Sequence, residues 1–127
     1  MKEVMAIIRM NRINDTKRAL AENGYSQFTG RKVMGRGRGP VDAAVAAGAK
    51  AGSEEALALL GPAPRLFPKR LLTLVVPDDK VKGVVDTIIK VNRTGNAGDG
   101  KIFVMPLLDA VRVRTGESGD LALDEKM

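Results

Sequence analysis

The residues best suited to binding an anion occupy positions 94–101, which read Thr-Gly-Asn-Ala-Gly-Asp-Gly-Lys. The three glycines can adopt positive φ, so the backbone there can approach a ligand closely. Successive backbone N–H groups in such a turn form an anion-binding nest, and Lys101 adds a full positive charge beside it. Arg112 and Arg114 follow on a predicted strand, where residues two apart project to the same face. Together these residues predict a pocket for a phosphorylated ligand.

Each of these signals also has a purely structural explanation. Because glycine often ends helices, segment 94–101 could be a simple helix-to-strand connection. Its sequence matches neither the phosphate-binding loop of nucleotide hydrolases nor the dinucleotide-binding fingerprint. The arginine pair could equally lie on a solvent-exposed strand face. A second cluster of glycine and arginine, Gly-Arg-Gly-Arg-Gly at 35–39, favours the binding interpretation.

Composition narrows the classes of function. The 127 residues include no cysteine and no histidine, which excludes Cys/His zinc sites, thiol nucleophiles and imidazole bases. Aromatic residues make up only 3%, which argues against recognition of nucleic-acid bases by stacking. The net charge of +6 suits anionic partners. Charges interrupt the apolar N-terminal run, and no run approaches the ~20 residues of a membrane span, so we predict a cytoplasmic protein without membrane insertion.

The elements that must position these residues follow a strand–helix–strand plan in the first third of the chain. The apolar run 4–8 predicts a strand buried on both faces. A helix follows, for which Asn14 or Asp15 can serve as the N-cap and Gly24 as the C-terminal stop. Segment 27–34 then predicts a second strand, antiparallel to the first.

The second half repeats this plan. Segment 71–76 predicts a buried strand, and 77–79 (Pro-Asp-Asp) begins a helix with acidic residues in its first turn, where the helix dipole favours them. Apolar residues follow at the spacing of one helix face: Val81, Val84, Val85 and Ile88. Strands are predicted at 102–105 and 111–114. Two such halves predict one α/β (α+β) domain over 1–127, a ferredoxin-like βαββαβ sandwich.

Between the halves, residues 37–68 are rich in alanine and glycine and then in proline. A connection of about thirty residues inside a compact domain is far longer than usual and is normally functional or mobile. It could be a flexible linker. It could also be a partner-binding loop that a ligand orders or releases. We predict a long, mobile regulatory loop.

Four motifs in this order resemble the PII signal-transduction proteins, most closely their nitrogen-fixation-associated branch. They are Val-Met-Gly-Arg-Gly-Arg at 33–38, Val-Val-Pro-Asp-Asp at 75–79, Gly-Asp-Gly-Lys-Ile-Phe-Val at 98–104, and Val-Arg-Val-Arg-Thr-Gly-Glu at 111–117. The resemblance implies a trimer that senses ATP, ADP and 2-oxoglutarate in clefts between subunits. It identifies 37–68 as the T-loop, the output element of the family.

The resemblance also implies roles for individual residues. Segment 98–101 would hold the nucleotide phosphates, assisted by Arg112 and Arg114. Gly37 and Arg38 would close over the phosphates, and the adenine side would be lined by Thr29, Gly35 and Val75. The implied ATP-binding set is Thr29, Gly35, Gly37, Arg38, Val75, Gly98, Asp99, Gly100, Lys101, Arg112 and Arg114. Lys69 falls where the family places the lysine that pairs with a carboxylate of 2-oxoglutarate. No catalytic residue and no protein metal ligand is expected.

Two departures from the family pattern affect these expectations. Members controlled by uridylylation carry a tyrosine in the loop, but the only tyrosine here is Tyr25, outside it. Where the family commonly has a glutamine that helps to ligate Mg²⁺ bridging ATP and 2-oxoglutarate, this chain has Gly39, which offers no side-chain oxygen. ATP or ADP is therefore the expected effector, with Mg²⁺ and 2-oxoglutarate as further candidates.

For this branch the resemblance implies that the target is dinitrogenase, approached by a homotrimer or by a mixed oligomer with a sister PII-like subunit. A PII-type regulator of an ammonium channel or of a biosynthetic enzyme is the alternative. A nucleic-acid-binding basic module is an alternative of another class, but the Arg/Gly tract is a single short copy without neighbouring aromatics, so no nucleic-acid partner is expected. Asp99 and Glu117 are candidate acid–base groups for an enzyme, yet no nucleophile stands beside a base, so we predict no enzymatic function.

Overall fold

The structure is a computed structural model that describes residues 1–37 and 66–123. Within this part, the chain forms four strands and two α-helices: β1 (Lys2–Ile8), α1 (Ile13–Glu22), β2 (Thr29–Gly35), β3 (Phe67–Val76), α2 (Val81–Asn92) and β4 (Lys101–Pro106). Short 3₁₀ turns precede both helices, at Met10–Arg12 and Asp78–Lys80, and another occupies Gly119–Ala122. The strands make one antiparallel sheet in the order β2-β3-β1-β4. This arrangement confirms the predicted ferredoxin-like α+β fold.

The pairing of the strands corrects one expectation. β3 lies between β1 and β2 and is antiparallel to both, so β2 runs parallel to β1 and does not pair with it. The prediction of a second strand antiparallel to the first was therefore wrong. The reason is the intervening helix: a strand–helix–strand connection returns the chain to the end of the sheet where it started, so the next strand runs in the same direction.

The hydrophobic core lies between the helices and one face of the sheet. Alternate residues of the two central strands point to the helices and are buried: Val4, Ala6 and Ile8 of β1, and Leu72, Leu74 and Val76 of β3. They pack with three apolar residues of the helices, Leu20, Val84 and Ile88. The intervening residues of β1 are only half-buried, so the expectation that segment 4–8 is buried on both faces was wrong. An antiparallel sheet with helices on one side buries alternate residues.

The sheet face opposite the two helices is here called the open face. Residues directly opposite one another in an antiparallel ladder project to the same side. The register Arg31–Leu71–Ile7–Lys101 therefore forms one row across the open face, with one residue from each strand. Odd-numbered residues of all four strands lie on this face, which matters for the site described below.

The sequence predicted the C-terminal end of α1 correctly but not its N-terminal cap. The helix continues directly from the 3₁₀ turn, and its N-cap residue, Arg12, makes no side-chain capping hydrogen bond. Asn14 and Asp15 lie inside the first turn, so the prediction that one of them caps the helix was wrong. Gly24 does end the helix: it has φ of 88°, and the next N–H, that of Tyr25, donates to the carbonyl of Leu20 at 2.8 Å.

The third strand is longer than predicted. β3 begins at Phe67, four residues before the apolar run that signalled it, and it includes Pro68. Pairing between β3 and β1 starts only at Arg70, so Pro68 has β2 as its single neighbour and is tolerated as at a sheet edge. The predicted loop over 37–68 therefore ends inside a strand. Residues 38–65, including Arg38 and Gly39, lie outside the described part of the chain.

Segment 111–114 is not a strand, which corrects another expectation. A single bridge joins Val111 to Ser118, and the chain between them turns back on itself. The N–H of Arg112 donates to the carbonyl of Glu117 at 2.8 Å, and the carbonyl of Arg112 accepts from the N–H of Gly116 at 2.7 Å. Because this turn replaces extended backbone, Arg112 and Arg114 do not share a strand face. In the described part of the chain, no helix has the length and apolar character needed to cross a membrane.

Candidate functional site

The glycine-rich loop between α2 and β4 is organised around the carboxylate of Asp99. This carboxylate accepts hydrogen bonds from the N–H of Thr94 at 2.8 Å, from the N–H of Gly95 at 3.0 Å and from the hydroxyl of Thr94. The guanidinium of Arg9 donates to it at 2.8 Å and also to the carbonyl of Ala97 at 3.3 Å. Asp99 therefore fixes the shape of the loop from within.

These contacts determine the charge state of Asp99. The hydroxyl and N–H of Thr94, the Arg9 guanidinium and the N–H of Gly95 all stabilise the carboxylate, and they hold the pKa of Asp99 well below its usual range. The side chain is thus ionised, and its oxygens are engaged by its own loop. Its contribution to an anion site is to position the surrounding backbone, since a carboxylate repels a phosphate.

Two glycines of the loop have positive φ and lie close to the end of β1, and only one of them is blocked by backbone atoms. Gly98 and Gly100 have φ of 98° and 115°, as the sequence predicted for a loop of this composition. A Cβ on Gly100 would collide with the backbone carbonyl oxygen of Ile7 and lie 3.3 Å from the Cα of Ile8. A Cβ on Gly98 would lie 3.2 Å from the Arg9 guanidinium. The loop backbone is therefore packed directly against the end of β1.

The loop forms one side of a cleft of about 670 Å³ at the end of the sheet. Six of the residues that the sequence singled out line this cleft: Gly35, Gly37, Lys69, Gly98, Gly100 and Lys101. The register shows why they meet. Gly35, Lys69 and Lys101 are odd-numbered residues of β2, β3 and β4, so all three belong to the open face at the same end of the sheet.

The cleft is strongly cationic. Arg9, Arg36, Lys69 and Lys101 line it, and among the described lining residues there is no aspartate or glutamate. Phe67 and Phe103 add apolar surface beside these charges. A cavity lined by four cations, two glycines with positive φ and an apolar wall suits an anionic organic ligand with phosphate or carboxylate groups.

Arg9 is a site residue that the sequence reasoning missed. It follows β1 directly and reaches the loop because β1 and β4 are neighbours, with Ile7 opposite Lys101. About a quarter of its side chain is exposed, and its guanidinium bridges the cleft and the loop. In a sequence, a single arginine after an apolar strand looks the same as an ordinary solvated charge. Only the pairing of β1 with β4 could have identified Arg9 as a site residue.

Several residues of the predicted set do not line the cleft. Thr29 and Val75 lie on the open face, but Val75 is six residues beyond Lys69 along β3, about 20 Å away. Arg112, whose side chain is 12% exposed, donates at 2.9 Å to Glu117 and at 2.9 Å to the carbonyl of Leu121, so it holds the C-terminal turn together. Arg114 lies exposed in that turn.

No metal centre is evident among the residues that the structure describes. They include no group of three or more carboxylate, histidine or cysteine side chains that could hold an ion. The carboxylate of Asp99, which lies between the lining residues Gly98 and Gly100, is already engaged by four donor groups. A divalent cation in the cleft would have to be ligated chiefly by oxygens of a bound ligand or of water.

The chain is similar in sequence and in structure to known proteins. The sequence profile of the family described as nitrogen regulatory protein P-II matches residues 1–117. The chain is 50% identical over 128 residues to the nitrogen fixation nifHD region GlnB-like protein 2 of Methanobacterium ivanovii, covering 97% of this chain and 99% of that protein. It is 38% identical over 123 residues to nitrogen regulatory protein P-II 1 of Escherichia coli (strain K12), covering 97% and 100%. The crystal structure of Arabidopsis thaliana PII bound to citrate is similar with a TM-score of 0.72 at 32% identity, covering 99% of this chain and 92% of that one.

Proposed function

Because this chain belongs to the nitrogen regulatory protein P-II family, a family of regulators rather than enzymes, we propose that it senses ATP and ADP together with 2-oxoglutarate and controls a target protein through residues 37–68. The observation that carries this proposal is the position of the cationic cleft. Four residues at the two ends of the long segment line it: Gly35 and Gly37 at one end, and Phe67 and Lys69 at the other. A ligand in the cleft contacts both ends and can shift the populations of the segment by its differential affinity for them.

The nucleotide is expected to place its phosphates against the loop at 98–101. Backbone N–H groups of a glycine nest and the ammonium of Lys101 suit a polyphosphate, and no carboxylate among the described lining residues opposes it. Arg38 and Gly39 follow Gly37 directly in the sequence and lie outside the described residues, and the guanidinium of Arg38 is expected to close over the phosphates. Since neither Gly39 nor the described lining residues offer a carboxylate or amide oxygen, Mg²⁺ would enter with the nucleotide and be completed by ligand and water oxygens.

The second effector, 2-oxoglutarate, is expected beside Lys69. The ammonium of Lys69 and the guanidinium of Arg9 line the same cleft, which suits a dicarboxylate. That Arabidopsis thaliana PII has been crystallised with citrate supports carboxylate binding by a relative of this chain. The nucleotide and the carboxylate would then share one cleft, which is the basis of coupled sensing.

Association of copies would complete the site. Thr29, Val75, Arg112 and Arg114 do not line the cleft of their own copy, so a neighbouring subunit would have to supply such residues. Exposed apolar side chains support association: Phe103 on the open face is 43% exposed, and Leu108 and Val113 in the C-terminal segment are fully exposed. We expect a homotrimer, or a mixed oligomer with a sister PII-like subunit.

The proposed target is dinitrogenase. The support is that relatives named for the nitrogen fixation nifHD region are 50% and 42% identical to this chain, against 38% for nitrogen regulatory protein P-II 1 of Escherichia coli. The proposal is that the protein inhibits this target when 2-oxoglutarate is scarce and releases it when 2-oxoglutarate accumulates.

Calorimetric titration of MgATP, without and with saturating 2-oxoglutarate, tests the sensing function. Tighter ATP binding in the presence of 2-oxoglutarate is expected, and Lys101→Met should weaken ATP binding by at least about tenfold because it removes a charge-assisted contact. The matched control is Lys90→Met, at an exposed position on α2, which should bind ATP as the natural chain does. Equal loss in both variants, or no ATP binding by the natural chain, would contradict the proposal.

A further inference from the structure

A second cleft, of about 380 Å³, lies on the helix-bearing side of the sheet. One wall comes from the start of α1 and the preceding turn, and the other from β2 and β3. Two cationic side chains line it, those of Lys17 and Arg70, together with three apolar ones, Met10, Ile13 and Phe28. Arg31 of β2 also borders it, but the sheet register places its side chain on the open face. Only Met10 is common to this cleft and the first one. The nucleotide cleft described above does not account for these charges.

The positive charge of the second cleft is not compensated within the described part of the chain. No aspartate or glutamate lines it, and neither Lys17 nor Arg70 forms an ion pair with a described residue. The nearest acidic side chain along α1, Asp15, instead pairs with Arg12 at 3.8 Å and with Arg18 at 3.6 Å. Like charges gathered in a cleft raise the local concentration of anions.

Arg70 is the more constrained of the two cations. Successive residues of a strand point to opposite faces, so Lys69 belongs to the open face and Arg70 to the helix-bearing face. The Nε of Arg70 is buried and has no hydrogen-bond partner among the described residues. Because a buried donor without a partner is costly, the arrangement favours a ligand with acceptor oxygens.

We propose that this second cleft binds an organic anion that carries two or more carboxylates. Guanidinium groups pair with planar carboxylates through two parallel hydrogen bonds. The apolar residues Met10, Ile13 and Phe28 provide contact for a carbon skeleton, which inorganic phosphate lacks. The carboxylates can belong to a free metabolite or to the acidic side chains of a protein segment.

The test is a titration of the isotope-labelled full chain, followed by amide proton–nitrogen correlation spectra. The probes are tricarballylate, a capped oligoglutamate peptide and inorganic phosphate. Saturable shifts are expected at the amides of Asn14, Lys17, Gly30 and Arg31 with a carboxylate probe, and the probe that binds more tightly identifies the source of the carboxylates. Shifts confined to the loop at 98–101 would place the probe in the first cleft and overturn the proposal.

Variants locate the binding. Lys17→Gln alters an exposed residue, so folding is retained, and it should weaken the carboxylate probe by about tenfold. Lys90→Gln on α2 is the matched control and should leave the affinity unchanged. Unchanged affinity in the Lys17 variant would overturn the proposal, as would phosphate binding more tightly than either carboxylate probe. Because Lys101→Met leaves these residues intact, its loss of ATP binding would be independent of this result.

Discussion

Replacing Gly100 with alanine is expected to destabilise the protein strongly, because this glycine combines positive φ with a backbone contact. Its φ is 115°, which lies outside the regions that residues with a Cβ occupy readily. A Cβ there would also meet the carbonyl oxygen of Ile7 and come within 3.2 Å of its carbonyl carbon. These are backbone atoms of β1 in its pairing with β4, so they cannot rotate away as a side chain could.

Gly95 in the same loop is the matched control, because it has the cost of positive φ without the cost of the backbone contact. It has φ of 86°, but a Cβ placed on it meets nothing within 4 Å. Gly95→Ala should therefore cost only the conformational strain, about 1–2 kcal/mol. Gly100→Ala carries a similar or larger strain and must also displace the end of β1, so we expect a loss of ~3 kcal/mol or more.

Thermal and urea unfolding at equal protein concentrations measures both variants, since association makes the apparent stability concentration-dependent. The midpoint of thermal unfolding should fall by about 10 °C for Gly100→Ala and by about 5 °C for Gly95→Ala. The affinity for MgATP should fall more in the Gly100 variant, because the loop backbone can no longer pack on β1. Equal destabilisation of the two variants would refute the argument from close approach.

Two further predictions concern polar contacts of the fold. The pKa of Asp99 is lowered in the folded protein, so its contribution to stability is complete above the usual aspartate range and is lost as the pH falls through the lower, folded value. The amide resonance of Gly95 should therefore stay unchanged as the pH is lowered through about 4. A transition of that resonance near pH 4 would contradict this prediction. Asn92, which is buried and donates to Thr16 at 3.0 Å and to the carbonyl of Ile88 at 2.9 Å, links the two helices. Asn92→Ala should lower the free energy of unfolding by about 2 kcal/mol in urea titrations, whereas Asn11→Ala at an exposed position should change it by less than about 0.5 kcal/mol.

The sequence predicted the local elements well because their signals are local. The apolar spacing of α2 and the glycine after α1 each depend on neighbouring residues only, and both predictions were confirmed. The direction of β2 depends on which strand it pairs with, and no local pattern specifies that. The same holds for the turn at Arg112, where a hydrogen bond to Glu117 competes with extended backbone.

The residues of the candidate site were likewise predicted where their signal is local and missed where their role depends on distant strand pairing. Gly98, Gly100 and Lys101 were singled out from the glycine-rich motif and Lys69 from the family resemblance, and the sheet register brings them to one cleft. Arg9 was missed because its role arises from the pairing of β1 with β4, which joins residues far apart in the chain. The placement of Thr29, Val75 and Arg114 relative to a nucleotide depends on the arrangement of subunits, so their roles stay predictions.

The long third strand has a consequence for how this protein can diverge. Its register is fixed by Leu72, Leu74 and Val76, which are buried against the helices, and a shift by one residue would expose them. The same register places Lys69 in the cationic cleft on the open face and Arg70 in the second cleft on the helix-bearing face. Insertions or deletions upstream, between Gly37 and Phe67, leave that assignment untouched. The connecting segment can therefore change in length and sequence from one relative to another while the side chains at its two ends keep their places in the sheet.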